Sequence, residues 1–267
     1  MKIGALIPVR LTSERLPGKA LMDLAGKPVI LRLLERVAAC RFISSPEHVV
    51  VCATTDASDD PLEKVVTEAG YSVYRGETDD IIARFDGAMR AFDFDAVIQA
   101  DGDDPLSATE YMDVVMARLL EDSEVDIVTV DGLPLGTATK AFTRRAMDKV
   151  IRSYRQGRND TGFIYFFTKS GLCRHEVIQR TDPAHSLPDA RLTLDYPVDL
   201  EVFQAIFEAL ERPDGPFGLS ETVEFLKLNP EVRNRNLTVQ DEYWQRTAAK
   251  TELYMDDPDG TVRKIVF

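Results

Sequence analysis

The 267-residue chain is 44% hydrophobic, long and apolar enough to bury a sizeable core, and its 45 Asp and Glu outweigh 32 Lys and Arg for a formal charge of −13. That balance excludes nucleic-acid binding by a general basic face, because the phosphate backbone needs a positive surface. Cys40, Cys52 and Cys173 lie far apart with no CxxC pair, which suggests neither a disulfide framework nor a cysteine zinc site. No stretch reads as a signal peptide or membrane span, so a cytoplasmic protein is expected.

The apolar run Ile3 to Ile7 opens the chain as a buried strand, and Ala25 to Arg36 follows with helical spacing. Val49 to Ala53 reads as strand, Pro61 to Ala69 as helix, Ser72 to Arg75 as short strand and Asp79 to Phe92 as helix. Ala96 to Ala100 is again strand, Glu110 to Leu120 helix and Asp126 to Val130 strand. This alternation predicts an α/β fold, a mixed, mostly parallel sheet with helices on both faces. Beyond Asp131 the pattern loosens. Arg144 to Tyr154 looks helical, Phe163 to Thr168 (FIYFFT) strand-like, and Arg191 to Leu194 leads into a helix from Pro197 to Leu210, with proline in the first turn. Residues 1–212 form the expected main domain. Residues 213–267 form an extension of two helices and a hairpin turning at Asp257 to Gly260, packed on the core or at a dimer interface.

The stretch Ile7 to Lys19, IPVRLTSERLPGK, leaves the carboxyl end of the first strand, where open α/β sheets bind ligands. Arg10, Arg15 and Lys19 suit phosphate oxygens, and Gly18 lets backbone approach a ligand. A solvated basic loop is the plain alternative, but in so acidic a chain a cationic knot needs a reason. Asp101-Gly102-Asp103-Asp104-Pro105 follows the strand Ala96 to Ala100, where carboxylates can hold Mg²⁺ or merely form an acidic turn. Asp195 precedes a helix and is a candidate metal ligand or an N-cap. A cation loop with two acidic strand ends makes a metal–triphosphate site.

The opening motif, followed by GKPVI, resembles the RxxSTRLPGKxL…GKPM opening of CMP-sugar synthetases, notably CMP-Kdo synthetase. The segments VYRGETDDIIARF (Val73 to Phe85), AVIQADGDDPL and RLTLDYPVDLEVF resemble cytidylyltransferases of spore-coat polysaccharide synthesis. These blocks run in order from Met1 to about Leu210. The resemblance implies a Rossmann-like nucleotide-diphospho-sugar transferase (GT-A-like) fold, CTP as donor, Mg²⁺ dependence, transfer of CMP to a small anionic or sugar acceptor, and a homodimer. By position, Arg10, Arg15 and Lys19 contact the triphosphate, with Arg15, Lys19 and Asp103 carrying catalysis. Asp103 and Asp195 match the metal ligands, and Arg75 with Asp79 and Asp80 lies where the base is read. Pro8, Ser13, Gly18 and Asp101 complete the expected nucleotide site, and Asp101 is placed to brace the metal ligands or help deprotonate the acceptor.

The chain also departs from that pattern. Asn159-Asp160-Thr161-Gly162-Phe163 stands where CMP-Kdo synthetases carry a His near a Gly-Ile-Tyr strand and the spore-coat relatives an EHVT-like segment. Asp160 would repel an anionic sugar acid unless Lys140, Arg144 or Arg158 offsets it; Lys140, Arg158 and Asp160 are therefore the acceptor-site candidates. Ser13-Glu14-Arg15 replaces Ser-Thr-Arg, with Glu14 expected to point to solvent. His175 and His185 read as surface or packing residues, and Tyr243, Trp244 and Tyr254 as packing or dimer-contact aromatics. Asp101-Gly102-Asp103 is also a DxD motif, which keeps open a glycosyltransferase acting on a nucleotide sugar.

Overall fold

The computed structural model describes residues 1–155, 162–250, 253–257 and 259–265. In chain order, β1 (Ile3–Pro8) is followed by the small hairpin β2 (Asp23–Leu24) and β3 (Lys27–Pro28), then α1 (Val29–Ala38), β4 (Val49–Thr54), α2 (Asp60–Glu68), β5 (Ser72–Gly76) and α3 (Ile81–Ala91). Next come β6 (Ala96–Gln99), α4 (Thr109–Glu121), β7 (Ile127–Asp131), β8 (Lys140–Thr143), α5 (Arg144–Ile151), the single turn α6 (Tyr165–Thr168) and β9 (His175–Gln179). The chain ends with α7 (Pro197–Leu210), α8 (Leu219–Leu228), α9 (Pro230–Arg233), α10 (Gln240–Lys250) and the hairpin β10 (Leu253–Asp256) and β11 (Val262–Ile265).

The main sheet has the order β5-β4-β1-β6-β8-β7-β9. β5, β4, β1 and β6 pair in parallel, and β8 runs antiparallel between β6 and β7. The alternation of strand side chains explains why its centre reads as unbroken apolar runs. Ala5, Ile7, Val49, Val51, Ala96 and Ile98 enter one core with Leu33, Tyr111 and Phe203, whereas Leu6, Val50, Cys52 and Val97 enter the other with Phe85, Phe142 and Phe167. A strand buried on both faces has no polar side to show.

One expectation needs correcting. Phe163 to Thr168 does not add a strand: after Gly162 the chain turns into α6, and Phe163, Phe166 and Phe167 are buried at the i, i+3, i+4 spacing of one helical face. A short apolar run carries no period that separates the two outcomes. The loosened region after Asp131 yields two strands, β8 and β9, and antiparallel β8 gives the mixed, mostly parallel sheet that was expected. The extension packs on the core, with the Phe217 ring 5.2 Å from that of Phe207, and Leu253, Met255 and Ile265 of the hairpin enter the second core.

Asp126, buried at the start of β7, ties that edge together. It accepts hydrogen bonds from Arg145 Nε at 2.7 Å, Lys149 Nζ at 2.6 Å and the Arg174 amide at 2.7 Å. Burial alone would raise its pKa, but these donors outweigh it and hold the carboxyl below the ordinary value of 3.8. Its folded pKa is depressed, so its stabilisation is present above the unfolded-state value and fades as pH falls through the folded one. Asp126→Asn is expected to cost about 2–4 kcal/mol at neutral pH. Urea titrations of both proteins between about pH 7 and 3 should show the gap closing on acidification; a gap independent of pH would mean that the charge is not the stabilising feature.

Candidate active site

A cavity of about 500 Å³ opens where β1 and β6 end, lined among others by Pro8, Arg10, Ser13, Arg15, Lys19, Asp101, Asp103, Lys140 and Asp195. The cation loop is held there by buried Asp59, whose carboxylate accepts from the Leu11 amide at 2.7 Å and from the Thr54 amide at 2.9 Å, joining the exits of β1 and β4. The Gly18 amide closes the loop on the Leu11 carbonyl at 2.9 Å. With φ at +72° before the 3-10 turn Lys19–Leu21, Gly18 adopts a conformation that disfavours other residues. Its role is thus this turn; its backbone does not line the cavity.

The acidic strand end meets that loop. A Cβ on Gly102 would stand 2.5 Å from the Pro8 carbonyl oxygen, so only glycine lets the turn after β6 lie against the end of β1. Lys19 Nζ then donates to Asp103 Oδ2 at 2.7 Å, to Asp195 Oδ1 at 3.0 Å and to the Leu194 carbonyl at 2.7 Å. Arg15 also donates to Asp195. Asp195 reaches this point on an extended segment whose Leu192 and Leu194 amides bond to the Leu135 and Asp103 carbonyls at 2.8 Å each. Behind it, buried Arg191 donates to Asp195 Oδ2 at 3.3 Å and to both oxygens of Asp199. The helix-cap role falls elsewhere: Asp199 accepts from the Asp195 and Tyr196 amides at 2.9 Å each, which leaves the Asp195 carboxylate to the cavity.

The charges explain the arrangement. Burial disfavours the Lys19 ammonium, but Asp103 and Asp195 outweigh it and its pKa is raised. Asp195 is held below the ordinary carboxylate range by Lys19 and Arg15 against the opposing effect of burial. Burial, with Asp195 and Asp101 nearby, pushes Asp103 up despite Lys19. Burial also raises Asp104 strongly, and among the described residues its buried Oδ1 has no hydrogen-bond partner. Four carboxylates, Asp101, Asp103, Asp104 and Asp195, thus share one wall with Arg15, Lys19 and Lys140. Asp103 and Asp195 offer hard oxygens within reach of one cation, now Lys19 Nζ, and that donor set fits Mg²⁺ when phosphate oxygens fill the rest of its shell. Among the described residues no three His, Cys, Asp or Glu side chains form a metal site by themselves, so such a metal would depend on substrate oxygens. The arrangement can bind a polyphosphate and stabilise charge that develops on it.

The description "Cytidylyltransferase" belongs to a family profile that matches residues 4–183 of this chain, well over half of it. The chain belongs to the cytidylyltransferase family. A 3-deoxy-manno-octulosonate cytidylyltransferase of Geobacter sulfurreducens is 34% identical to it over 235 residues, covering 85% of this cytidylyltransferase and 86% of the relative. The spore coat polysaccharide biosynthesis protein SpsF of Bacillus subtilis is 28% identical over 85% and 95% of the two chains. A solved cytidylyltransferase structure from Leptospira borgpetersenii shares the fold with a TM-score of 0.80 at 24% identity, covering 88% of this chain and 98% of that one. Family membership makes this chain a nucleotidyltransferase and sets aside the glycosyltransferase reading of Asp101-Gly102-Asp103.

Not every expected residue reaches the cavity of this cytidylyltransferase. Arg75 is corrected: its guanidinium is spent on the Thr54 and Asp56 carbonyls and on Asp60 and Glu63, at 2.6–2.8 Å, and it does not line the cavity. Asp80 caps α3 through the Ala83 amide and accepts from the Tyr154 hydroxyl at 3.0 Å, and Asp79 lies outside, 3.5 Å from Arg10. Lys140 does line the cavity and grips Asp101 at 2.7 Å, while Gln99 donates to the other Asp101 oxygen at 2.9 Å. Burial opposes the Asp101 charge, but Lys140 prevails and its pKa is lowered, which makes it a poor proton acceptor. Arg144 is tied to the Phe94 carbonyl, and Arg158 and Asp160 lie outside the described residues. His175 bonds Thr129, and His185 sits between Tyr111 and Ser220, as packing residues do.

The sequence reading missed four contributors. Tyr243, Trp244 and Arg246 of α10 line the cavity, against the expectation that the two aromatics serve only packing or a dimer contact. Glu14, expected to face solvent, stands 3.5 Å from Arg246. Nothing in a polar helix distant in sequence announces that it crosses a ligand site; only the tertiary fold brings it there.

Proposed function

We propose that this cytidylyltransferase transfers CMP from CTP to an acceptor oxygen of a sugar acid or of a phosphate- or phosphonate-type acceptor, with Mg²⁺ and with release of pyrophosphate. The observation that carries the reading is the convergence of Lys19 on Asp103 and Asp195 with Arg15 beside it. In it, the acceptor oxygen attacks the α-phosphorus in line, and the bond to the β-phosphate breaks. Arg15 and Lys19 hold the β- and γ-phosphates and stabilise the charge on the departing pyrophosphate. Asp103 and Asp195 would hold the Mg²⁺, which when bound neutralises α-phosphate charge. Arg191 fixes Asp195 from behind, and Lys140, locked to Asp101, offers a cation for an anionic acceptor. The relatives named for 3-deoxy-manno-octulosonate support a sugar acid. The resemblance also implies a cytoplasmic homodimer, and no described helix is long and apolar enough to cross a membrane.

Pyrophosphate release from CTP against a panel of sugar acids and phosphorylated acceptors tests the reaction; release with none of them would overturn it. Nucleotide choice is a second expected result. The apolar part of the wall, Pro8, Val9 and Ile81, suits the face of a base. Calorimetry should show CTP binding at least about tenfold tighter than UTP, ATP or GTP, the worth of one well-made hydrogen bond. Equal affinity for UTP would remove the cytidylyl assignment of the donor.

A further inference from the structure

We infer that the C-terminal helix α10 completes the triphosphate subsite, with Arg246 supplying a cation to the phosphates of CTP and giving up Glu14 to do so. The inference rests on the proposed function and adds to it a residue outside the region matched by the family profile, which ends at 183.

Three observations place α10 at the phosphate end of the cavity. Tyr243, Trp244 and Arg246 line the same space as Arg15 and Lys19. The Tyr243 ring lies 5.6 Å from the Arg15 guanidinium and 4.2 Å from that of Arg191, the residue that fixes Asp195. Arg246 reaches Glu14, the neighbour of Arg15 in the cation loop, at 3.5 Å. The helix thus borders the loop assigned to the β- and γ-phosphates.

The strength of the contacts shows which cation is ready to move. Lys19 is held by two carboxylates and a carbonyl at 2.7–3.0 Å. Arg246 instead makes ion pairs at 3.5 Å with Glu14 and with Glu242, and its side chain and that of Glu14 are 40% and 46% exposed. Such exposed pairs contribute little, whereas a phosphate offers Arg short, charge-assisted and bidentate hydrogen bonds. Exchange of Glu14 for a phosphate is therefore downhill. Asp101, Asp103, Asp104 and Asp195 share the cavity with the incoming polyanion, and a cation released to the phosphates offsets their repulsion. Glu14, which stands where the resembling family has Thr, holds that cation in place until phosphate arrives.

Trp244 is the chain's single tryptophan, half-exposed two residues before Arg246, so its fluorescence reports on α10 alone. Full-length protein is titrated with CTP, CMP and inorganic pyrophosphate in magnesium buffer, with affinities checked by calorimetry. CTP and pyrophosphate should shift the emission saturably, and CMP should not. Arg246→Ala should weaken CTP and pyrophosphate about tenfold, leave CMP unchanged and keep the melting temperature, with Arg246→Lys in between. Glu14→Gln should tighten pyrophosphate, because the competing carboxylate is gone. Wild-type affinity for CTP and pyrophosphate in Arg246→Ala, or an equal loss of CTP and CMP, would overturn the inference while leaving the cytidylyltransferase reaction standing. If Arg246→Ala fails to fold, Glu14→Gln decides alone, and unchanged pyrophosphate binding overturns it. A wild type that binds no CTP would instead defeat the underlying reaction.

Discussion

Asp195→Asn is expected to lower turnover about a hundredfold or more, the loss seen when a group that stabilises transition-state charge is removed. The substitution keeps the size of the side chain and removes only its charge. Asp195 meets Lys19, Arg15 and Arg191 at once, so the charge it supplies organises all three. The fold should survive. Arg191 keeps its bonds to Asp199 at 3.1 and 3.2 Å, and Lys19 keeps Asp103 and the Leu194 carbonyl, so no buried cation is left unpaired. Asp103→Asn should behave alike, because Lys19 then keeps Asp195. The check is steady-state pyrophosphate release at saturating CTP beside thermal melting of each variant. Normal turnover in Asp195→Asn would show that its carboxylate serves the loop alone, while a collapsed melting temperature would make the residue structural.

The sheet and the site were not equally legible. β1, β4 and β6 are buried on both faces, so their apolar runs stand out, and the helix Pro197–Leu210 is marked by proline in its first turn. The cation loop and the Asp101 to Asp104 turn were legible because each leaves a strand end, and the sheet order sets β1 beside β6; Asp195 joins them on an extended segment outside the seven strands. Arg75 misled for the same reason: it too ends a strand, but β5 is an edge strand, and there its guanidinium turns to Asp60 and Glu63 of α2. Asp195 shows the limit of local reading. Ahead of a helix an Asp suggests a cap, and only the structure reveals that Asp199, inside the first turn, takes the backbone amides. α10 was illegible as part of the site because its cavity residues depend on contacts with the cation loop more than 200 positions away.

Lys19→Ala is expected to lower the maximal rate at saturating CTP by about a hundredfold, and more than it weakens CTP binding. If Lys19 and Arg15 hold the β- and γ-phosphates, their attraction grows as pyrophosphate departs, and an interaction that strengthens in the transition state appears in turnover. Lys19 has a second effect: its ammonium is the shared partner of Asp103 and Asp195, and without it two carboxylates face each other across the site. Arg15→Lys should also fail, because Lys keeps the charge but lacks the planar fork that can hold a phosphate while facing Asp195. Arg10, on the same wall, is expected to affect both binding and turnover when replaced by Ala. Lys27 is the control. Its ammonium pairs with Glu35 at 2.6 Å and does not line the cavity, so Lys27→Ala should leave the rate near that of the wild type. Pyrophosphate release is measured for the three variants across CTP concentrations. Unchanged maximal rates in Lys19→Ala and Arg15→Lys would mean that this loop does not hold the departing phosphates, and the direction of the proposed displacement would have to be redrawn.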